Sequence, residues 1–412
     1  MTIPNLTFIA IACPLVCAPA LLHAADPVVD NVVSTQRAGT KLVDISFDVL
    51  DADSDQLFIS VEISDDGGAT FVVPVSALSG DVIVSATPDA TGHVLVWNAA
   101  IDFNQQFNDT MVVRVVAHDD PGLAPPPAGM VLIPAGSFLM GADVADNDGK
   151  ADELPVHSVE ISAFYIDKFE VTKALWDEVK TWGAANGYTD LPAGGGQGGI
   201  HPVQTVNWYA VVKWCNARSE MEGLAPTYYT SDTHIPANVY KTGDDDLAAS
   251  EVDWSSSGYR LPTEAEWEKA TRGGMAGKTY PWGNTIADGD ANYGLSSDPF
   301  ENGSAQTTPV GFYDGEHWSA FPTDRANGYG LYDIAGNVLE WCWDWYKDDW
   351  YSNPAAMIAD TRGPASSPLG NRALRSGSWL FSSLDLRCAN RDSVGRPDIE
   401  HESVGFRSVR GL

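Results

Sequence analysis

Basic side chains are scarce in this 412-residue chain. It holds 24 Lys+Arg against 56 Asp+Glu, a formal net charge of −32. A field of that sign repels phosphate backbones, which excludes nucleic acid as a partner. Cysteine is scarce too. There are 5, with no Cys-x-x-Cys and no His-x-x-x-His spacing, so a zinc centre is not expected. Past the first twenty-five residues, no segment is apolar for long enough to span a bilayer. Residues 191–199 are rich in glycine but lack the spacing of a phosphate-binding loop, and read as a flexible loop. Internal repeats are absent.

Apolar residues make up 44% of the chain, enough for a sizeable core and too many for wholesale disorder. The length suggests two or three domains. Residues 6–25 are hydrophobic, are interrupted by Pro14 and Pro19, and end in the small residues Ala24 and Ala25. They read as a secretory signal, residues 1–25, cleaved after Ala24 or Ala25. The expected product is exported (periplasmic, cell-surface or secreted) and keeps no integral membrane segment. The n-region is unusual, because no Lys or Arg precedes Arg37. A lipoprotein signal would use Cys17 instead, with Val16 where a small residue is wanted. Cleavage removes Cys13 and Cys17 and leaves Cys215, Cys342 and Cys388.

Residues 26–118 alternate with period two. Val43 to Val49 and Leu57 to Ile63 are the clearest strands; Val82 to Val84, Val94 to Trp97 and Met111 to Val116 are shorter ones. Turn-forming clusters separate them, which predicts an all-β sandwich. It resembles the immunoglobulin-like and fibronectin-III-like modules of exported proteins. Asp51, Asp53, Asp55 and Glu62 imitate a calcium-loop spacing, but Gln56 replaces the turn glycine, so a solvated turn is expected. Residues 119–129, with Pro125, Pro126 and Pro127 in a row, read as a stiff linker.

From residue 130 to 412 tryptophan, glycine and proline become frequent. Helices are expected at Lys173 to Trp182, Trp208 to Glu222 and Thr263 to Arg272. Thr263 is placed to cap the last, with Glu264 and Glu266 near its positive end.

A series of phrases runs through this second domain: Tyr165-Ile166-Asp167-Lys168-Phe169-Glu170-Val171-Thr172, Arg260-Leu261-Pro262-Thr263-Glu264-Ala265-Glu266-Trp267, Asn327-Gly328-Tyr329-Gly330-Leu331-Tyr332-Asp333, Gly336-Asn337-Val338-Leu339-Glu340-Trp341, Gly377-Ser378-Trp379, Arg387-Cys388-Ala389 and Gly405-Phe406-Arg407. In this order they resemble the formylglycine-generating enzyme (sulfatase-modifying factor) family. The resemblance implies an α+β, C-type-lectin-like domain with little regular secondary structure. It also implies an oxidase that converts a sulfatase cysteine to formylglycine, using oxygen and a copper ion held by two cysteines.

The family's first copper cysteine falls at Phe381, and its second at Leu386 or in a deletion. No catalytic residue is therefore assigned, copper is not expected, and whether the chain is an enzyme stays open. Cys388 and Cys215 match structural half-cystines whose family partners are Thr271 and Ser408 here. The three thiols are then either all reduced, or one Cys342–Cys388 bridge forms. His157 and His201 are expected to pack or to hydrogen-bond.

Calcium is the cofactor the resemblance retains. One family site maps onto the Asp333 side chain, the Gly336 and Val338 carbonyls and the Glu340 side chain. A second maps onto Asn292 and Asn302 with the carbonyls of Tyr293 and Ser304. Hard oxygen donors suit Ca²⁺. The expected ligand-binding surface is Ser378, Trp379, Leu380, Phe381 and Asp385, within the segment Trp379 to Val404. The expected role is a calcium-stabilised scaffold for a protein, peptide or other extracellular ligand; the alternative is a divergent protein-modifying oxidase.

Overall fold

The computed structural model describes residues 27–51, 57–65, 67–68, 75, 78–80, 83–84, 92–99, 111–118, 126–142, 149–294, 306–315 and 323–412. The expected signal, most of the linker, Asp53, Asp55, Asn302 and Ser304 lie outside them. The chain divides into two compact units, Met1–Pro125 with Gly274–Ala276, and Pro126–Gly273 with Gly277–Leu412.

In the first unit the strands are β1 (Val28–Gln36), β2 (Leu42–Leu50), β3 (Leu57–Ser64), β4 (Leu78–Gly80), β5 (Ile83–Val84), β6 (His93–Asn98) and β7 (Val112–His118). They form two antiparallel sheets, ordered β1-β2-β6-β4 and β5-β3-β7. Alternation sends Val43, Ile45, Phe47 and Val49 of β2 inward. They share one apolar cluster with Leu57, Ile59, Val61 and Ile63 of β3 and with Leu95, Trp97, Val113 and Val115. The sequence pattern did not announce β1. A register shift between Asp30 and Val33 breaks its alternation, and Asn31 sits there at φ 51°.

The second unit is mostly short strands with few helices. Its strands are β8 (Met130–Ile133), β9 (Gly136–Met140), β10 (His157–Ile161), β11 (Phe164–Asp167), β12 (Tyr259–Arg260), β13 (Leu339–Trp345), β14 (Arg372–Arg375), β15 (Asp392–Gly395), β16 (Val404–Gly405) and β17 (Val409–Arg410). One sheet runs β12-β17-β11-β8, another β15-β14-β13-β16, and β9 pairs with β10. The helices are α1 (Lys173–Ala185), α2 (Trp208–Met221) and α3 (Glu264–Arg272). Among the described residues no helix is long and apolar enough to cross a membrane.

Helix α3 explains how so irregular a unit holds together. Thr263 caps it: its Oγ1 accepts from Glu266 N (3.1 Å), and Glu266 Oε2 accepts from Thr263 N (2.8 Å). All nine helical residues are buried, including three glutamates. Each glutamate meets arginine. Glu264 binds Arg391 (2.7 and 2.9 Å), Glu266 binds Arg260 (2.7 Å twice), and Glu268 binds Arg272 and Arg375. Arg272 belongs to the helix and Arg260 lies just before it, but Arg375 and Arg391 come from far along the chain, so their pairs tie distant segments to the helix. The glycine-rich loop 191–199 is packed rather than flexible. Gly195 exchanges backbone hydrogen bonds with Gln204 (2.6 and 3.0 Å), and a Cβ on Gly196 would sit 3.0 Å from Lys173.

Candidate functional site

The loop before β13 is built around Asn337, which takes φ 57° as asparagine tolerates. Its Nδ2 donates to Glu170 Oε2 (2.6 Å), and its Oδ1 accepts from Thr308 N (3.0 Å) and Asn292 Nδ2 (3.3 Å). Its backbone N donates to the Asn292 carbonyl (2.8 Å), and its carbonyl accepts from Trp379 N (3.0 Å). Glu170 Oε1 accepts from Val338 N (3.0 Å). This hub joins the expected calcium loops to the expected ligand surface.

Three carboxylates lie beside it. Glu340 is fully buried and accepts four hydrogen bonds: Arg407 Nε to both oxygens (2.9 and 2.8 Å), Arg407 Nη2 (2.8 Å) and Trp267 Nε1 (2.7 Å). Asp333 accepts from Gly311 N (2.5 Å) through one oxygen. Burial pushes the Asp333 carboxyl up to about 6, against the pull of Gly311 N–H and Arg407, with the Glu340 and Asp314 charges adding to the rise. Burial, then the charges of Asp333 and Glu340, hold Glu170 well above the usual carboxylate range.

For calcium the fit of these residues is divided. Asn292 Oδ1 is buried without a hydrogen-bond partner, as a cation ligand would be before its ion arrives. Two of the expected ligands are engaged instead. The Gly336 carbonyl accepts from Ser376 Oγ (3.0 Å), and the Glu340 side chain is committed to Arg407 and Trp267. Its four acceptor sites are filled, so it is a structural anion first. Among the described residues no three His, Cys, Asp or Glu side chains are grouped to hold a metal ion. An ion at the first expected site would therefore depend on Asp333 and backbone carbonyls, and of the second expected site Asn292 offers the unpartnered oxygen.

The turn after β14 is tight. Ser376 stands at φ 84° and Gly377 at φ 75°, where a Cβ would come within 2.6 Å of Leu386 and 2.9 Å of the Asp385 carbonyl. The expected ligand surface divides across it. Ser378 is wholly buried: its Oγ accepts from Leu380 N (3.3 Å) and its carbonyl from Phe381 N (3.0 Å). It holds the turn and offers a ligand nothing. Trp379 is 8% exposed, and its Nε1 has no acceptor. Leu380 is 49% and Leu384 48% exposed, while Phe381 and Asp385 are partly buried. Leu386 is core, packed with Tyr280, Ala291, Tyr293 and Ala335. Tyr293 thus contributes a ring to that core, and its Oη donates to Asp288 (3.2 Å).

Cys215, Cys342 and Cys388 are free and buried, so no Cys342–Cys388 bridge forms. Burial pushes the Cys388 thiol up to about 12 and raises Cys215 and Cys342 as well. Thiolate chemistry is suppressed at all three. Where the resemblance sets half-cystine partners, hydroxyls take other bonds. Thr271 Oγ1 donates to the Trp267 carbonyl (2.8 Å), and Ser408 Oγ donates to Asp167 (2.5 Å). His157 is buried against Tyr351, with Nδ1 2.9 Å from the Pro155 carbonyl; His201 Nδ1 lies 3.0 Å from Thr307 Oγ1.

Sequence reasoning assigned no role to Glu170, Asn337 or Arg407. All three stand inside the phrases quoted above, but their partners are far along the chain, so only the folded loops reveal them.

The family model of the sulfatase-modifying factor enzyme 1-like domain matches residues 119–412. A formylglycine-generating enzyme from Thermomonospora curvata is 33% identical over 304 residues, covering 68% of this chain and 92% of that enzyme. A protein named serine/threonine-protein kinase pkn1, from Chlamydia caviae, is 30% identical over 356 residues, covering 82% of this chain. The chain spans only 48% of that protein's length. Among solved structures, Treponema denticola variable protein 1 superposes with a TM-score of 0.52 at 32% identity, covering 69% of this chain and 95% of that one.

Proposed function

Because the chain belongs to the sulfatase-modifying factor family, we propose that it is an exported member that has lost the copper-binding cysteine pair and serves as a calcium-stabilised scaffold for a protein or peptide ligand. What supports this is where the resemblance sets the two copper positions: the first at Phe381, in the turn, and the second at Leu386, in the core, or in a deletion. Neither side chain can ligate copper, and the three remaining thiols are separate and held protonated by burial. The two sheets and single apolar cluster of the first unit support an immunoglobulin- or fibronectin-III-like sandwich as a spacer module.

Calcium is supported by charge. Glu170, Asp333 and Glu340 influence one another electrostatically, and Arg407 pairs with Glu340 while acting on the other two without a hydrogen bond. A divalent ion would relieve what one guanidinium leaves uncompensated.

A second reading, a divergent protein-modifying oxidase, is favoured by the 33% identity to a formylglycine-generating enzyme over most of that enzyme's length. The kinase activity named for the Chlamydia relative belongs to a protein about twice as long and is not carried over. Incubating the full chain with a Cys-x-Pro-x-Arg peptide, with and without copper, separates the readings by peptide mass. We expect no conversion to formylglycine. A copper-dependent aldehyde product that disappears in Cys388→Ser would establish the oxidase instead.

A further inference from the structure

Three Asn–Gly steps occur in the chain: Asn186–Gly187, Asn302–Gly303 and Asn327–Gly328. Such a step is chemically weak, because glycine has no Cβ to screen its backbone nitrogen from the amide of the preceding side chain. The second step lies outside the described residues. The fold treats the other two in opposite ways. Asn327 is buried and its amide is locked: Nδ2 donates to the Ala270 and Thr271 carbonyls (2.7 and 3.1 Å), and Oδ1 accepts from Tyr329 N and Leu331 N (3.0 and 3.1 Å). Gly328 is wedged against Gly273, whose carbonyl oxygen would lie 2.2 Å from a Cβ there.

Asn186 follows the last residue of α1, and both it and Gly187 are exposed. A single bond holds its side chain, from Nδ2 to the Trp182 carbonyl (2.7 Å). The Gly187 N–H donates to no acceptor among the described residues. Lys241 adds something the dipeptide alone does not have. Its Nζ donates to the Asn186 carbonyl (3.2 Å) while Glu220 Oε2 accepts from it (2.7 Å), and its stem crosses Gly187. That carbonyl shares one peptide group with the Gly187 nitrogen. A cation on the oxygen stabilises the anion left when the nitrogen loses its proton. What opposes reaction is the helix end, where Asn186 N and Tyr188 N both donate to the Gly183 carbonyl (2.8 and 3.0 Å). Bonds of a last turn open locally, without global unfolding.

We propose that Asn186 is a self-modification site, converted in the folded chain to aspartate and isoaspartate with water as the only co-reactant. The Gly187 nitrogen loses its proton and attacks Asn186 Cγ. A C–N bond forms, the Cγ–Nδ2 bond breaks, and ammonia leaves with that proton, giving a cyclic imide. Water then opens the ring: at Cγ it yields aspartate, and at the backbone carbonyl it yields isoaspartate, whose main chain runs through Cγ. Either product adds a negative charge where the helix dipole of α1 is already negative. Isoaspartate also lengthens the main chain just before Tyr188, which is buried. The site stands whatever the chain binds. Four hydrogen bonds hold the Asn327 amide and one holds that of Asn186, so Asn186 should react at least about tenfold faster.

The test ages the full chain in neutral and in mildly alkaline buffer, digests it under mildly acidic conditions, and weighs the peptides that contain Asn186 and Asn327. A parallel sample is aged in guanidinium. In the folded protein the Asn186 peptide should gain the mass that exchanging NH2 for OH produces, faster in the alkaline buffer, while the Asn327 peptide stays intact. The modified Asn186 peptide should be a substrate for protein isoaspartyl methyltransferase. In guanidinium the two sites should react at similar rates, since the folded bonds that separate them are gone. Lys241→Gln should slow the reaction at Asn186, and Lys241→Arg, which keeps the cation, should restore it. Equal rates at Asn186 and Asn327 in the folded protein, or an Asn186 that reacts only in guanidinium, would overturn the site. A rate that Lys241→Gln leaves unchanged or raises would overturn the role given to the ammonium.

Discussion

Arg407 and Glu340 meet with both side chains fully buried, in an environment that already contains Glu170 and Asp333. Removing one charge from such a pair strands the other, at a cost of about 3–5 kcal/mol. Glu340→Gln should therefore lower the urea midpoint sharply with or without calcium, which makes it a poor probe of metal binding. Asp344 behaves differently. It is buried on β13, its Oδ2 accepts from Glu264 N (2.7 Å), and burial followed by the Glu264 charge pushes it up to about 7. A raised carboxyl keeps its proton longer in the folded state than in the unfolded one. Its contribution to stability therefore falls as pH rises from about 4 to about 7, then levels off. Asp344→Asn keeps the side-chain acceptor and removes the titration. Relative to the parent it should gain stability at about pH 8 compared with about pH 4, measured by urea unfolding. An unchanged difference between the two would refute this assignment.

Helix α3 shows why a nine-residue element can organise a large unit. Its capping box starts it, Gly273 in the left-handed conformation (φ 55°) ends it, and its three glutamates collect arginines from β12, β14 and the segment after Cys388. Thr263→Ala removes the side-chain acceptor for Glu266 N and should cost about 1 kcal/mol, read as a lower melting temperature with an unchanged fold by circular dichroism. The turn after β14 works by the same local logic. Ser378 folds it back on itself, which is why the serine is buried while the leucines on either side of Phe381 reach solvent.

At the scale of the molecule the charge is −32, and three of its carboxyl groups, Glu170, Asp333 and Glu340, lie close to Asn337. If calcium binds there, EGTA should lower the melting temperature of the second unit and added Ca²⁺ should restore it. A ligand present at a hundredfold excess over its Kd contributes about 2.7 kcal/mol. Asp333→Asn should shrink the EGTA effect, since Asp333 has a carboxylate oxygen without a hydrogen bond, whereas Asp48→Asn on β2 of the first unit should leave it unchanged. A melting curve indifferent to EGTA in metal-free protein would remove calcium from the account and leave Arg407 as the cation that balances the cluster.

Period-two alternation was enough to locate β2, β3, β6 and β7, because each buries one face and the register cannot slip without exposing it. The three helices were legible to within a few residues, the last of them with its Thr263 cap. The family phrases were legible as a string, and with them the membership that the family model shows. Tertiary structure alone decided what those phrases do. Glu340 looked like a metal ligand until Arg407, 67 residues later, filled its acceptor sites. Ser378 looked like surface until its own turn enclosed it, and the glycine-rich loop looked flexible until Gln204 paired with it. Local spacing fixes which face of an element is apolar; a carboxylate's role depends on which distant donor reaches it first.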